Sequence, residues 1–257
     1  MVKGLYAAYS GMVNEQNRMD VLTNNLANAD TTGFKKEGAT SQAFDDVLAY
    51  KIKDASVGGK LVKPIGTLNL GVKVGENYTD YSQGAFRVTE NPYDVAISGN
   101  GFFAVEFTNK AGKTDTKYTR DGSFTLNKEG YLVTKDGDYV LGAGGRIKLD
   151  PLKEAVIDEK GNISQNGVRV ATIRLVDFED YNYLEHYGEN YFQPVEGYKT
   201  KTADGIMRAG YLEAANVQVV SEMVEMISTS RQYESNQKLI STIDSTLEIA
   251  MNRLGKV

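Results

Sequence analysis

The chain holds one histidine, His186, within Tyr183-Leu184-Glu185-His186-Tyr187, so imidazole chemistry there would need partners brought from elsewhere. In a strand, Glu185 would point to the opposite face, and His186 reads as a surface or loop residue. Gly99-Asn100-Gly101 could begin a nucleotide-binding turn, yet it lacks the third glycine and the following helix that cradle a pyrophosphate. It reads as a turn ahead of a strand from Phe102 to Phe107. Asp136-Gly137-Asp138 brings two carboxylates together but lacks the further acidic ligands and closing glutamate of a calcium loop, so a solvated hairpin turn is expected. Asp177, Glu179 and Asp180 cluster beside Tyr181 and Tyr183, and nothing else converges on them, so a solvated loop is expected there. The chain has no cysteine, which excludes thiolate nucleophiles, thiolate metal sites and disulfides. Nucleophile elbows, phosphate loops and His-Glu-x-x-His pairs are absent. No catalytic, cofactor-binding or metal-binding residue is assigned, and the chain is not expected to be an enzyme.

If side-chain chemistry is not the business of the chain, its long elements must be. The 257 residues suffice for one large domain or two ordinary ones, and 41% hydrophobic with 25% charged residues is ordinary for a globular protein. A net charge of −5, with Lys35-Lys36 as the only adjacent basic pair, argues against nucleic acid. No apolar run approaches the ~20 residues that span a bilayer, so no direct membrane insertion is expected. Asn14, Glu15, Gln16 and Asn17 interrupt any apolar core of a signal peptide, so a protein that leaves the cytoplasm would do so by another route.

The two ends share a pattern. Leu5, Ala8, Met12, Met19, Leu22, Leu26 and Ala29 alternate steps of three and four, with Glu15 the polar residue in phase. That is a heptad seam and predicts a helix from about Lys3 to Asp30, stopped before Gly33. At the other end Ile240, Ile243, Leu247, Ala250 and Leu254 keep the same alternation, and the phase extends back through Asn236, Tyr233, Thr229, Met226, Glu222 and Val219. Met223, Val224 and Ile227 form an adjacent apolar stripe. No glycine or proline falls between Tyr211 and Leu254, which predicts an uninterrupted helix roughly 60 Å long at ~1.5 Å per residue. The polar members Glu222, Thr229 and Asn236 mark positions expected to face neighbouring molecules rather than the chain's own first helix.

Between the ends the period changes to two, as in Ser123–Asn127 and Thr172–Leu175, and Asn-Gly, Asp-Gly and similar turn pairs recur. The expected fold class is α+β: an antiparallel all-β central domain with long N- and C-terminal helices pairing as a coiled coil. The expected boundaries are a helix over 1–33, an extended connector over 34–80 containing Gly58-Gly59, Pro64, Gly66, Gly71 and Gly75, a β-rich body over 81–210, and a helix over 211–257. A lone amphipathic helix leaves its seam exposed, so each end needs a partner: the other terminus, a neighbouring molecule, or both. Sixteen tyrosines and no tryptophan suit subunit interfaces and strands equally.

The residues at the end of the first helix carry a resemblance. Asn24-Asn25-Leu26-Ala27-Asn28-Ala29-Asp30-Thr31-Thr32-Gly33-Phe34-Lys35 resembles the N-terminal signature of the flagellar axial proteins, the rod and hook subunits of the bacterial flagellum. Two further stretches resemble the same family: Asn91 to Phe103 followed by Tyr118 to Phe124, and Gly210 to Val217 running into Glu222-Met223-Val224 and Arg231-Gln232-Tyr233-Glu234. The resemblance implies a tubular filament with the terminal helices in an inner coiled-coil layer and the β domain outside. It also implies export unfolded through the flagellar type III apparatus without a cleaved signal peptide, location in the basal body, and a mechanical role in transmitting torque. Its partners would be copies of itself and other axial subunits, joined head to tail so that the assembly does not close into a ring. Hook subunits carry extra outer domains, so the length points to the rod; the connector suits the distal-rod type, with the proximal type left open.

On this reading the assembly residues of the first helix are Leu5, Met12, Met19, Leu22 and Leu26, followed by Asn24, Asn25, Asn28, Thr31, Gly33 and Phe34. Those of the second are Val224, Ile227, Tyr233, Ile240, Ile243, Leu247 and Leu254. The competing readings are a secreted β-domain binding module with the helices as an oligomerisation stalk, and an enzyme acting through the carboxylates at 177–180.

Overall fold

The structure, a computed structural model of the chain, describes residues 2–52, 62–109, 112–188 and 190–254. It divides into two compact units. One comprises Met1–Leu26, Glu37–Asp80 and Val219–Val257, and the other Ala27–Lys36 with Tyr81–Gln218. The fold is α+β, with the strands paired antiparallel.

The first unit contains helix α1 (Val2–Ala27) and helix α2 (Val219–Ile249), the latter continuing as a π-helical turn over Ala250–Leu254. Between them in sequence lie β1 (Glu37–Ala43), β2 (Val47–Ile52), β3 (Val62–Leu68) and β4 (Val72–Thr79). The described part of the stretch 34–80 forms strands that pair with one another: β1 with β4 and β2 with β3. A bulge between Ala39 and Ser41 interrupts the first ladder. The C-terminal helix begins at Val219 and not near Tyr211, so its 31 residues extend roughly 46 Å rather than 60 Å. The reason is tertiary. Tyr211–Glu213 forms a strand paired with Phe86–Val88, an outcome no local breaker announces. No helix among the described residues is long and apolar enough to cross a membrane.

The second unit, the body, is built on the strand Phe102–Thr108. It pairs with Thr114–Thr119, Tyr139–Gly142 and Leu175–Phe178 inside a sheet of ten strands among the described residues. Alternation sends Phe103 and Val105 into one apolar cluster with Val95, Ile97 and Phe124, and Phe102 and Ala104 into another with Phe178 and Phe192. Burial on both faces explains why Phe102-Phe103-Ala104-Val105 reads as an unbroken apolar run rather than an alternation. One turn pair acts as its type requires. Asn166 and Gly167 both take positive φ, 51° and 76°, and close the hairpin between Asn162–Gln165 and Val168–Thr172.

Candidate assembly site

In the first unit the two terminal helices touch at heptad-spaced positions and run antiparallel. A Cβ on Gly4 would stand 3.7 Å from Ile243 Cδ1, and one on Gly11 3.0 Å from Asn236 Nδ2. The Asn25 amide donates to Glu222 Oε2 at 3.3 Å. Positions 4, 11 and 25 of α1 therefore meet 243, 236 and 222 of α2, one register kept over three heptads. Between them Arg18 bridges Glu225 at 3.0 Å and Glu15 at 3.3 Å. Apart from Ser230, the shielded residues along α2 and into the following turn are Glu222, Met226, Thr229, Tyr233, Asn236, Ile240, Ile243, Leu247 and Ala250, the alternation of three and four visible in the sequence.

The polar members of that series do not face outward. Glu222 and Thr229 are each 1% exposed and lie inside the unit, and Asn236 sits over Gly11. It is the adjacent apolar stripe that is bare: Met223, Val224 and Ile227 are 47%, 63% and 55% exposed. The expectation that Glu222, Thr229 and Asn236 face neighbours is thus reversed. For Asn236 a small residue opposite explains it, because glycine at 11 lets the amide approach where a Leu or Met would hold it off, while Glu222 is held by the Asn25 amide. On α1 Leu22 is buried, Leu5, Met12, Met19 and Leu26 are half-buried, and Asn24 is exposed. The side chain of Leu254 lies outside the described residues.

Asn25 does more than stop a helix. It is fully buried, its Nδ2 donates to the Glu37 carbonyl at 2.8 Å, and its Oδ1 accepts from the Glu37 N–H at 2.9 Å. One amide thereby reproduces both hydrogen bonds of a paired strand residue at the start of β1 while also reaching Glu222. Nearby, Asn14 Nδ2 donates to Ser41 Oγ at 2.9 Å, tying α1 to the same strand.

The rest of the Asn-rich stretch belongs to the body. Thr31 donates to the Asn28 side chain at 3.2 Å, and Thr32 donates to Asp121 at 2.8 Å. Gly33 has φ 71°, its N–H donates to the Glu213 carbonyl at 2.8 Å, and a Cβ there would run into the Arg120–Asp121 main chain. Phe34 is buried, edge-on to His186 at 6.1 Å. Glu213 Oε1 accepts from Lys35 Nζ at 2.6 Å and from the Gly84 N–H at 2.9 Å, and its Oε2 accepts from Arg120 Nη1 at 3.3 Å. All three charged side chains are at most 3% exposed. The Arg120 guanidinium lies 5.2 Å from the centre of the Phe102 ring, and its Nε finds no acceptor among the described residues. Asn216 then accepts from the Lys36 N–H at 2.7 Å and donates to Ser82. Three stretches far apart in sequence meet at one carboxylate. Spacing cannot show this, since Lys35, Arg120 and Glu213 are 85 and 93 residues apart in turn.

The groups singled out for chemistry are placed differently. His186 is half-buried in the strand Leu184–Tyr187, not in a loop, and packs edge-on against Phe192 at 5.3 Å. Asp177 is buried rather than solvated. It accepts from the Phe178 N–H and the Tyr181 hydroxyl, each at 2.8 Å, and pairs with Lys201 at 3.0 Å. Burial, reinforced by that bond to Asp177, pushes the Tyr181 phenol up to about 12. Asp180 caps a short 3-10 turn, accepting from the Asn182 N–H. Asp136 and Asp138 flank a hairpin turn and accept from Tyr191, whose phenol burial holds well above its ordinary range. Asp136, Asp138, Asp177 and Asp180 each serve a structural bond, and no grouping of three metal-ligating side chains occurs among the described residues.

Two terminal helices in heptad register in one unit, and a β body knit by a buried Lys35–Glu213–Arg120 cluster in the other, define an architectural protein. The chain matches three family descriptions: "Flagella basal body rod protein" over residues 5–35, "Flagellar hook protein FlgE/F/G D1 domain" over 96–165, and "Flagellar basal body rod FlgEFG protein C-terminal" over 208–254. It is 36% identical to the flagellar basal-body rod protein FlgF of Caulobacter vibrioides across the whole of both chains. It is 33% identical to the rod protein FlgG of Bacillus subtilis over 98% of this chain and 99% of that one. The FlgG of Buchnera aphidicola from Acyrthosiphon pisum is 32% identical over 96% and 98%. The chain belongs to the flagellar rod and hook family. It is a structural subunit of the basal-body rod, not an enzyme, and proteins of this family assemble with other axial components of the flagellum.

Proposed function

We propose that this rod subunit polymerises with copies of itself into a tubular axial filament, α1 and α2 pairing as an antiparallel coiled coil in its inner layer, and that the filament transmits torque. The observation that carries the reading is the shared register of 4 with 243, 11 with 236 and 25 with 222. A seam with heptad spacing over three repeats is what a coiled coil requires. The assembly residues are those of the two helices and the Asn-rich stretch, from Leu5 to Phe34 and from Val224 to Leu247. We take region 34–80 as a connector between the N-terminal helix and the β-rich body. Its presence favours the distal part of the rod, with a proximal or hook-type place as the second reading.

Electron microscopy of the purified protein before and after seeding on isolated basal bodies tests the polymer. Lengthened rods are expected, and deletion of residues 1–30 should abolish them. A compact monomer that never lengthens a rod would sink the reading. Export without a cleaved leader, through the flagellar type III apparatus, predicts that secreted protein keeps its N-terminal sequence; intact-mass measurement of the secreted chain checks it.

A further inference from the structure

Two apolar surfaces of the helical unit lie bare, at different ends of the same helix pair. The first is a groove of about 500 Å³ in which Tyr6, Tyr9 and Val13 of α1 face Phe44, Leu70 and Val74. Ser10 fastens it, donating to the Ala7 carbonyl and accepting from the Val72 N–H at 3.3 Å. The second is the α2 stripe Val220, Met223, Val224 and Ile227, whose spacing of i, i+3, i+4 and i+7 puts all four on one face. Single exposed apolar residues need no explanation, but contiguous ones mark a contact.

We infer that the groove of one copy receives the α2 stripe of the next, an inference that rests on the self-polymerising reading. Three features match them. Groove and stripe each extend two helical turns, from Tyr6 to Val13 and from Val220 to Ile227. Arg231, one turn beyond Ile227 on the same face, is a cation that suits the tyrosine rings of the groove. Lys73 at the groove and Glu234, a further turn along that face, carry opposite charges.

The two surfaces cannot meet within one chain. Gly11 stands opposite Asn236 and Asn25 opposite Glu222, which sets Val224 near the level of Thr23. Thr23 is fourteen residues from Tyr9 on α1, roughly 20 Å at ~1.5 Å per residue. A surface and its complement separated along one body make a head-to-tail contact, which continues as an open filament when the rotation between copies does not close a ring. With the helix pairs aligned, successive copies would be displaced by roughly 20 Å along that axis.

The absence of cysteine makes a clean test. Val13 and Val224 are both exposed, and their levels on α1 differ by ten residues, roughly 15 Å, against the ~7 Å that a disulfide tolerates. The doubly substituted chain V13C/V224C, assembled on basal-body seeds and oxidised, should give a ladder of disulfide-linked dimers, trimers and higher species. An equal mixture of V13C and V224C chains should stop at dimers. Filaments that form normally yet give no mixed disulfide overturn this contact and leave the polymer reading intact. So does cross-linking of either single variant alone at the yield of the mixture. Failure of the unsubstituted chain to form any filament removes both. As an independent check, V224S should keep the circular dichroism of the subunit while raising the concentration needed for assembly at least several-fold; an unchanged assembly threshold overturns the contact.

Discussion

In the body the strand Phe102–Thr108 is covered on both faces, and Phe102, Phe103, Ala104 and Val105 are fully buried. In the helical unit Ala8, Val21 and Leu22 are the apolar residues that reach burial among those described, while Tyr6, Tyr9, Val13, Val220, Val224 and Ile227 stay open. The body closes a two-sided apolar core within one chain, although Val156, Val168 and Val170 stay open on it. The helical unit holds its shape through polar contacts at Asn25, Glu222 and Arg18 and leaves its apolar surface unspent. The difference teaches where free energy resides in such a subunit: folding is driven by the body, and the helical ends retain the hydrophobic driving force for contacts with other molecules.

The largest test of that contrast lies in the body. Glu213→Ala leaves Lys35 and Arg120 buried without their carboxylate and should cost about 3–5 kcal/mol, read as a lowered denaturant midpoint of the near-ultraviolet signal. A loss below about 1 kcal/mol would mean that the cluster opens to water on its own.

Next in size is Asn25→Ala, which strips both main-chain bonds of Glu37 and should cost about 1–3 kcal/mol. Its signature is regional. Helical ellipticity at 222 nm should melt early while the aromatic signal of the body keeps its transition; simultaneous loss would show that the two units are not separate in stability.

A smaller effect comes from Tyr181. Its phenol is raised to about 12 in the folded chain by burial and then by Asp177, against about 10 when unfolded. The neutral form is favoured by folding, so this contribution is complete below pH ~10 and is lost as pH rises toward 12. Stability measured across that window should fall less steeply in Tyr181→Phe, by up to about one proton's worth of slope. The smallest expected change is that of Val224→Ser on the free subunit, within about 0.5 kcal/mol. A larger loss would place Val224 in the monomer's own core.

Much of the helical arrangement was legible because a helix repeats. The alternation through Glu222, Thr229, Asn236 and Ile243 gives the shielded face of α2 correctly even where the residues are polar. Which way the polar members faced was not legible, since it depends on what the other helix sets opposite them, Gly11 at Asn236 and Asn25 at Glu222. The strand Tyr211–Glu213 was hidden for a similar reason: its partner Phe86–Val88 is more than a hundred residues away, and no breaker separates it from the helix. The Asn-rich stretch was readable as a place where a helix ends and the chain turns at Gly33. What Asn25 and Glu213 hold was not, because their partners are a main-chain pair at Glu37 and side chains from distant strands.

The polar pairing of Asn25 with Glu222 has a mechanical consequence. Apolar helices can creep along one another, since one methyl layer resembles the next. A slip of one heptad in either direction would part Asn25 from Glu222 and break the hydrogen bond between them. The pair acts as a tooth in a gear. It fixes the one register in which the two helices lie, besides helping to hold them together.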